Sequence, residues 1–241
     1  MENNAFLIYG AGGFAREVAW LAEVCAGQGG EYRPVAFIDD SAAIAGSSAR
    51  ALNGLPVLSL DQACERFPGA RFAVGIGNPK VREGVANKAV SRGLRLASLT
   101  HPRVEMSRWV EIGEGALICA GNIVSTNIRM GKGVLINLDC TIGHDVILDD
   151  YVTINPGVHV SGNVHLGKRV YVGTGAVIIN GTGDKPLVIG DDAVIGAGGC
   201  VTRSIPAGVT AVGVPAKPLA PREPAKPVER IAAPASVANV A

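Results

Sequence analysis

A His-Asp pair, His144-Asp145, interrupts the apolar run INLDCTIGHDVILDD. Histidine exchanges protons near neutral pH, and an adjacent carboxylate can orient the ring and stabilise its charged form. The pair therefore suits a general base that takes a proton from an attacking amine or hydroxyl. On these residues alone, an exposed turn without catalytic use is an equally good reading. A second constellation lies in IYGAGGFAREV, where Gly10, Gly12 and Ala15 satisfy the G-x-G-x-x-A spacing. Glycines let the backbone turn sharply and approach a phosphate, while a following helix offers free N–H groups at its N-terminus. Asp39 and Asp40, which close FIDD, are placed to bond a ribose hydroxyl. The same spacing also occurs in plain strand-to-helix turns. A nicotinamide site would share it, but nothing after residue 96 reads as a domain for hydride transfer. A nucleotide with a small cargo, such as a nucleotide sugar, suits so short a domain better.

The segments around these glycines alternate between strand and helix. AFLIY is a short apolar run ending at Gly10, and Val18, Leu21, Ala22 and Cys25 then recur at helical spacing before Gly27. RPVAFIDD and ARFAVGIG read as further strands, and Asn78-Pro79 as the N-cap and first residue of a helix over KVREGVANKAVSRG. This alternation predicts a small Rossmann-like α/β domain with a parallel sheet, over residues 1–96.

The His-Asp pair belongs to a different pattern. From Ile112 to Gly183 twelve consecutive six-residue units, among them INLDCT, IGHDVI and LDDYVT, each begin with an apolar residue. DKPLV then intervenes, an insertion near residues 183–188, before IGDDAV resumes the rhythm. A short fixed period predicts a solenoid in which three units complete a triangular coil of 18 residues. Coils stack about 4.8 Å apart, with the first and fifth residues of each unit inward. The general rule for parallel crossovers predicts right-handed coils.

Residues 18 apart should then stack in columns. One corner, Glu114-Gly115, Lys132-Gly133, Asp150-Tyr151 and Lys168-Arg169, is charged and is expected to face solvent. A second, Ala120-Gly121, Leu138-Asp139, Pro156-Gly157 and Thr174-Gly175, uses glycine for positive φ, with Asp139 as its odd member. The third holds Thr126-Asn127, His144-Asp145, Gly162-Asn163 and Asn180-Gly181. Gly162 is thus predicted one coil above His144, leaving a gap with an approachable N–H beside the imidazole. Such a gap could seat a thioester whose oxygen gains negative charge. His159 and His165 fall at outward strand positions, and His101 lies in LTHPRVE, all read as surface or packing residues.

The stretches GAGGFAREV, FIDD, VGIGNP, INLDCTIGHDVILDD, INPGVHVSGNV, GTGAVI and AVGVPAKPL resemble the sialic acid O-acetyltransferase and bacterial sugar N-acetyltransferase family of hexapeptide-repeat acyltransferases. That family acetylates UDP-linked 4-amino-4,6-dideoxy sugars and GDP-perosamine. The resemblance implies a left-handed parallel β-helix over residues 97–219, against the crossover rule, and acetyl-CoA as donor. It implies His144 as general base with Asp145 assisting, and Gly162 as the thioester contact. The donor would run toward Gly173 and Gly198. The acceptor nucleotide would be held by Gly10, Gly12, Gly13, Phe14, Asp39, Asp40, Gly77 and Asn78. A second histidine found in some members nine residues after the base is here Thr153. A homotrimer with its active site between subunits is also implied. The expected activity is N-acetylation of a nucleotide-linked amino-deoxy sugar for a bacterial surface glycan. O-acetylation of a sialic acid type sugar is the enzymatic alternative, and a noncatalytic nucleotide-sugar scaffold the alternative of another class.

Composition narrows the partners. A net charge of +1 speaks against nucleic acid as a partner. Five scattered cysteines without C-x-x-C suggest neither a disulfide framework nor a zinc knuckle, and point to a reducing cytoplasm. The solenoid histidines, 15 and 6 residues apart, do not match the zinc triad of β-helix carbonic anhydrases, so no metal is expected. No apolar run approaches a membrane span. Residues 220–241, rich in Pro and Ala, read as a mobile tail.

Overall fold

The computed structural model describes residues 5–40 and 51–219, so the expected tail lies outside the described residues. The N-terminal elements are β1 (Ala5–Tyr9), α1 (Gly13–Gly27), β2 (Arg33–Ile38), β3 (Ala51–Leu52), β4 (Leu55–Leu58), α2 (Leu60–Arg66), β5 (Arg71–Val74), α3 (Pro79–Ser91) and β6 (Arg95–Leu96). They form one sheet of order β3-β4-β2-β1-β5-β6, parallel apart from the β3–β4 pair. Phe6, Leu7 and Ile8 are all fully buried, because helices cover both faces of the central strand. Helix α1 packs on the Phe6 and Ile8 side, and α2 and α3 pack on the Leu7 and Tyr9 side. The short α2 has no counterpart in the sequence reading. It is held by a reciprocal cap in which Ser59 and Gln62 bond each other's backbone N–H.

The strand order reverses at β1, with β2 on one side and β5 on the other. Open parallel sheets form their ligand crevice at such a reversal, beyond the carboxyl ends of the strands. Here the two loops flanking it are Gly10–Gly12 after β1 and Gly75–Asn78 after β5.

From Leu99 onward the chain winds into the left-handed parallel β-helix, the opposite hand to the crossover rule. Its first face stacks Leu99, Leu117, Leu135, Thr153, Tyr171 and Val194 as outward residues. The second stacks Glu105, Ile123, Thr141, His159, Val177 and Cys200. The third stacks Glu111, Arg129, Ile147, His165 and Val188. Inward aliphatics such as Ile136, Ile142, Val146, Leu148 and Val152 form one continuous core. Each vertex is turned in successive coils by residues at positive φ, including Asn127, Asp145 and Asn163 at one and Gly121, Asp139 and Gly157 at another. Asp139 takes the same conformation as its glycine neighbours, with φ +55°, a region acidic and amide side chains tolerate.

The α/β domain sits on the first face, where Leu99, Leu117 and Leu135 join the apolar cluster of α1. This placement overturns one sequence expectation. The charged corner does not face solvent at Tyr151, which is 3% exposed, because α3 lies against that vertex. Arg169 reaches from the corner to Glu83 of α3 (3.2 Å) and to Asp192 of the next coil (2.7 Å).

Candidate active site

His144 and Asp145 turn the vertex between the second and third faces. Asp145 holds φ +58°, which aims its side chain back along the ring. Its Oδ2 lies 2.8 Å from His144 Nδ1, and Asn127 Nδ2, one coil below, donates to its Oδ1 at 3.3 Å. A carboxylate only accepts, so Nδ1 carries a proton, and in the neutral ring Nε2 keeps its lone pair. The contact with His144, then that with Asn127, holds the Asp145 carboxyl below the usual carboxylate range. Both side chains remain open to solvent, at 62% and 54% exposure.

Gly162 lies one coil above, as the 18-residue column predicts. A Cβ placed there would collide with Nε2 and Cε1 of His144, so the imidazole edge rests against bare backbone. Gly162 accepts a hydrogen bond from Gly181 N–H (3.0 Å), and its own N–H has no acceptor among the described residues. The corner thus presents a proton acceptor and an unused peptide donor side by side, the requirements of acyl transfer to an amine or hydroxyl.

A cavity of about 450 Å³ opens at the sheet reversal and is lined by Gly10, Gly12, Gly13, Phe14, Asp39, Asp40 and Gly77, among others. Gly10 needs its φ of +117°, and Gly75 approaches Ala15 so closely that a Cβ would meet the helix backbone. Tyr9 donates to both oxygens of Asp40 (2.9 and 3.0 Å), and Lys88 Nζ pairs with the same carboxylate at 3.0 Å. Burial and the Asp40 contact raise the Tyr9 hydroxyl, which therefore stays a donor. Asp40 is thus already engaged within the protein.

The PglD N-terminal domain family matches residues 5–89. Over 216 residues the chain is 34% identical to GDP-perosamine N-acetyltransferase of Escherichia coli O157:H7, covering 89% of this chain and 96% of that one. The chain belongs to the hexapeptide-repeat sugar acetyltransferase family. A perosamine N-acetyltransferase from Caulobacter crescentus, solved with CoA and GDP-perosamine, superposes on this acetyltransferase with TM-score 0.79 at 30% identity, covering 90% of this chain and 97% of that one. WeeI from Acinetobacter baumannii AYE does so with TM-score 0.80 at 38% identity, covering 89% and 99%.

In this acetyltransferase the expected site residues fall into three places. His144, Asp145 and Gly162 share one vertex. Gly173 and Gly198 lie at the vertex between the first and second faces, where coil stacking at Gly173 and a φ of +66° at Gly198 already require glycine. The candidate nucleotide residues line the crevice over the first face, apart from Asn78, which with Gly77 lines an adjoining cavity beside Lys80 and Arg169. The first face is the one that the His144 vertex does not border. Thr153 is fully buried between the domains, and its Oγ1 donates to Gly77 O at 3.0 Å.

Two residues escaped the sequence reading. Extending the His144 column by 18 residues below Asn127 reaches Trp109, which is 60% exposed and carries the Arg108 guanidinium 4.7 Å from its ring centre. The period alone would have found it. Arg82 is 2% exposed, and burial pulls its guanidinium down to about 10. No local pattern marks it. Among the described residues, no group of three or more His, Cys, Asp or Glu side chains could hold a metal.

Proposed function

We propose that this acetyltransferase moves the acetyl group of acetyl-CoA to the amino group of a nucleotide-linked amino-deoxy sugar of the GDP-perosamine type, destined for a surface glycan. The observation that carries the reading is the His144 ring, held at Nδ1 by Asp145 while its Nε2 edge lies against the bare backbone of Gly162. His144 takes the proton from the attacking amine, and Asp145 keeps the ring oriented and stabilises its charged form. Gly162 N–H meets the thioester oxygen as charge develops. The crevice holds the nucleotide through Gly10, Gly12, Gly13, Phe14, Asp39, Gly77 and Asn78, with Asp40 fixed by Tyr9 and Lys88 as its wall. Gly173 and Gly198 border the path of the donor toward its adenine end.

The crevice and His144 lie on opposite sides of one prism, which supports a site shared between chains. A homotrimer brings the crevice of one subunit to the His144 vertex of the next. Cytoplasmic action goes with this reading, since acetyl-CoA and nucleotide sugars are cytoplasmic metabolites and all five cysteines are free.

The test is thiol release from acetyl-CoA against UDP-, GDP- and dTDP-linked amino sugars, for wild type and His144→Ala. Turnover with an amino sugar that collapses in the variant supports the proposal. Full activity in His144→Ala overturns the base, and turnover confined to hydroxyl sugars replaces N-transfer by O-transfer.

A further inference from the structure

We propose that Arg82 is the positioning residue of a diphosphate-binding seat formed by the peptide N–H groups of Gly77 and Asn78. All five N–H groups of the buried guanidinium donate to main-chain carbonyls. Nε reaches Gly133 (3.1 Å), Nη1 reaches Ile76 and Gly77 (3.0 Å each), and Nη2 reaches Tyr151 (2.8 Å) and Val152 (3.1 Å). Among the described residues no carboxylate forms an ion pair with it. Burying a cation without a counter-charge is costly, and a well-packed apolar chain would hold the seam at less expense. An apolar chain cannot, however, dictate where carbonyls point. A rigid fork of five donors does.

The direction matters because C=O and N–H of a planar trans peptide point to opposite sides. The carbonyls of Ile76 and Gly77 both face Arg82, and Thr153 Oγ1 adds a second donor on Gly77 O. The N–H groups of Gly77 and Asn78 therefore face away from the guanidinium. Neither has an acceptor among the described residues. Gly77 lines the crevice beside Gly10 and Phe14, and a Cβ placed on it would meet nothing within 4 Å. Asn78 lines the adjoining cavity together with Gly77, Lys80 and Arg169, so the seat lies where the two meet. Two neighbouring peptide donors with a cation behind them form a concave seat for an anion.

The proposed function supplies the ligand, and the inference rests on that reading: the diphosphate of the acceptor nucleotide. Coenzyme A also carries a diphosphate, so the two sources must be separated. Asn78 sits at φ −66°, which proline adopts without strain. Asn78→Pro removes its N–H together with the side-chain cap, whereas Asn78→Ala removes only the cap.

Calorimetric titration of the full chain with GDP, UDP and CoA tests the assignment without requiring turnover. For whichever nucleotide binds wild type, Asn78→Pro should bind about tenfold more weakly than Asn78→Ala. Arg82→Met should lose about tenfold or more, Arg82→Lys less, and CoA affinity should stay unchanged in all of them. Should the Arg82 variants not fold, Thr153→Val takes their place, with a smaller loss of nucleotide affinity expected. Equal nucleotide affinity in Asn78→Pro and Asn78→Ala overturns the seat, as does a loss confined to CoA, or a wild type that binds neither GDP nor UDP. A lowered melting temperature in the Arg82 variants with nucleotide affinity intact makes Arg82 a strut and nothing more. A wild type that binds nucleotide but acetylates no amino sugar sinks the functional reading while leaving the seat standing.

Discussion

The Cα of Gly162 lies against the Nε2 edge of His144, one coil below. A methyl group at Gly162 cannot coexist with the ring in this position. The ring is exposed and can swing aside, so folding should be little affected. Gly162→Ala is therefore expected to lower kcat by about 100-fold, the scale of a misplaced general base, with a melting temperature within a degree or two of wild type. Steady-state kinetics beside a thermal melt checks this, and near-normal kcat would remove the alignment of His144 against bare backbone from the mechanism.

Asp145 is ionised below the usual carboxylate range because His144, and then Asn127, bond to it. Its folded value is depressed, so the pairing is complete above the unfolded carboxylate pKa and is lost as pH falls through the lower folded one. His144→Ala should move the Asp145 midpoint upward more than Asn127→Ala does, as read by carboxyl NMR. Asp145→Asn should cut kcat about 100-fold across the pH range, since the amide no longer selects the Nδ1–H tautomer. An unchanged rate in Asp145→Asn would reduce the residue to a turn former.

Tyr151 buries a hydroxyl that has no partner among the described residues, and burial pushes its pKa up to about 12. Deleting an unsatisfied buried hydroxyl removes a desolvation cost of about 1 kcal/mol. Tyr151→Phe should accordingly melt a few degrees higher than wild type, with its main-chain bond to Arg82 retained. A lower melting temperature would mean that the hydroxyl is bonded in solution.

A site shared between chains makes a sharper demand. Protein carrying His144→Ala keeps an intact crevice, and protein carrying Gly10→Val keeps an intact base. Unfolded together and reassembled, the two inactive variants should recover a fraction of wild-type activity through hybrid oligomers. Recovery no greater than the sum of the separate activities would place crevice and base in one chain.

How much was legible follows from what each residue answers to. The six-residue rhythm and the His144 column could be read because a stacked coil repeats one environment at a fixed interval. Helices α1 and α3 announced themselves through apolar spacing and the Asn78-Pro79 start, whereas α2 spans only seven residues, too few for a period. Leu117 and Leu135 were already odd as outward leucines 18 apart, a sign of a covered face, but nothing local says what covers it. Arg82 was invisible for the same reason. Its partners are carbonyls from three segments, and carbonyls carry no sequence signature.

The insertion also gains meaning from its place. Leu187 pairs with Val164 across an offset of 23 residues where the coil below uses 18, and the extra residues fold over the His144 vertex, with Asn163 Nδ2 bonded to Gly183 O at 3.1 Å. A linear molecule laid upward from His144 meets this roof within about two coils, roughly 10 Å. It must then veer across the second face, past Val177 and Cys200, which is the direction of Gly198. Shortening this eave, rather than altering any residue beside the imidazole, is the change that would let a thioester take a straight road along the vertex.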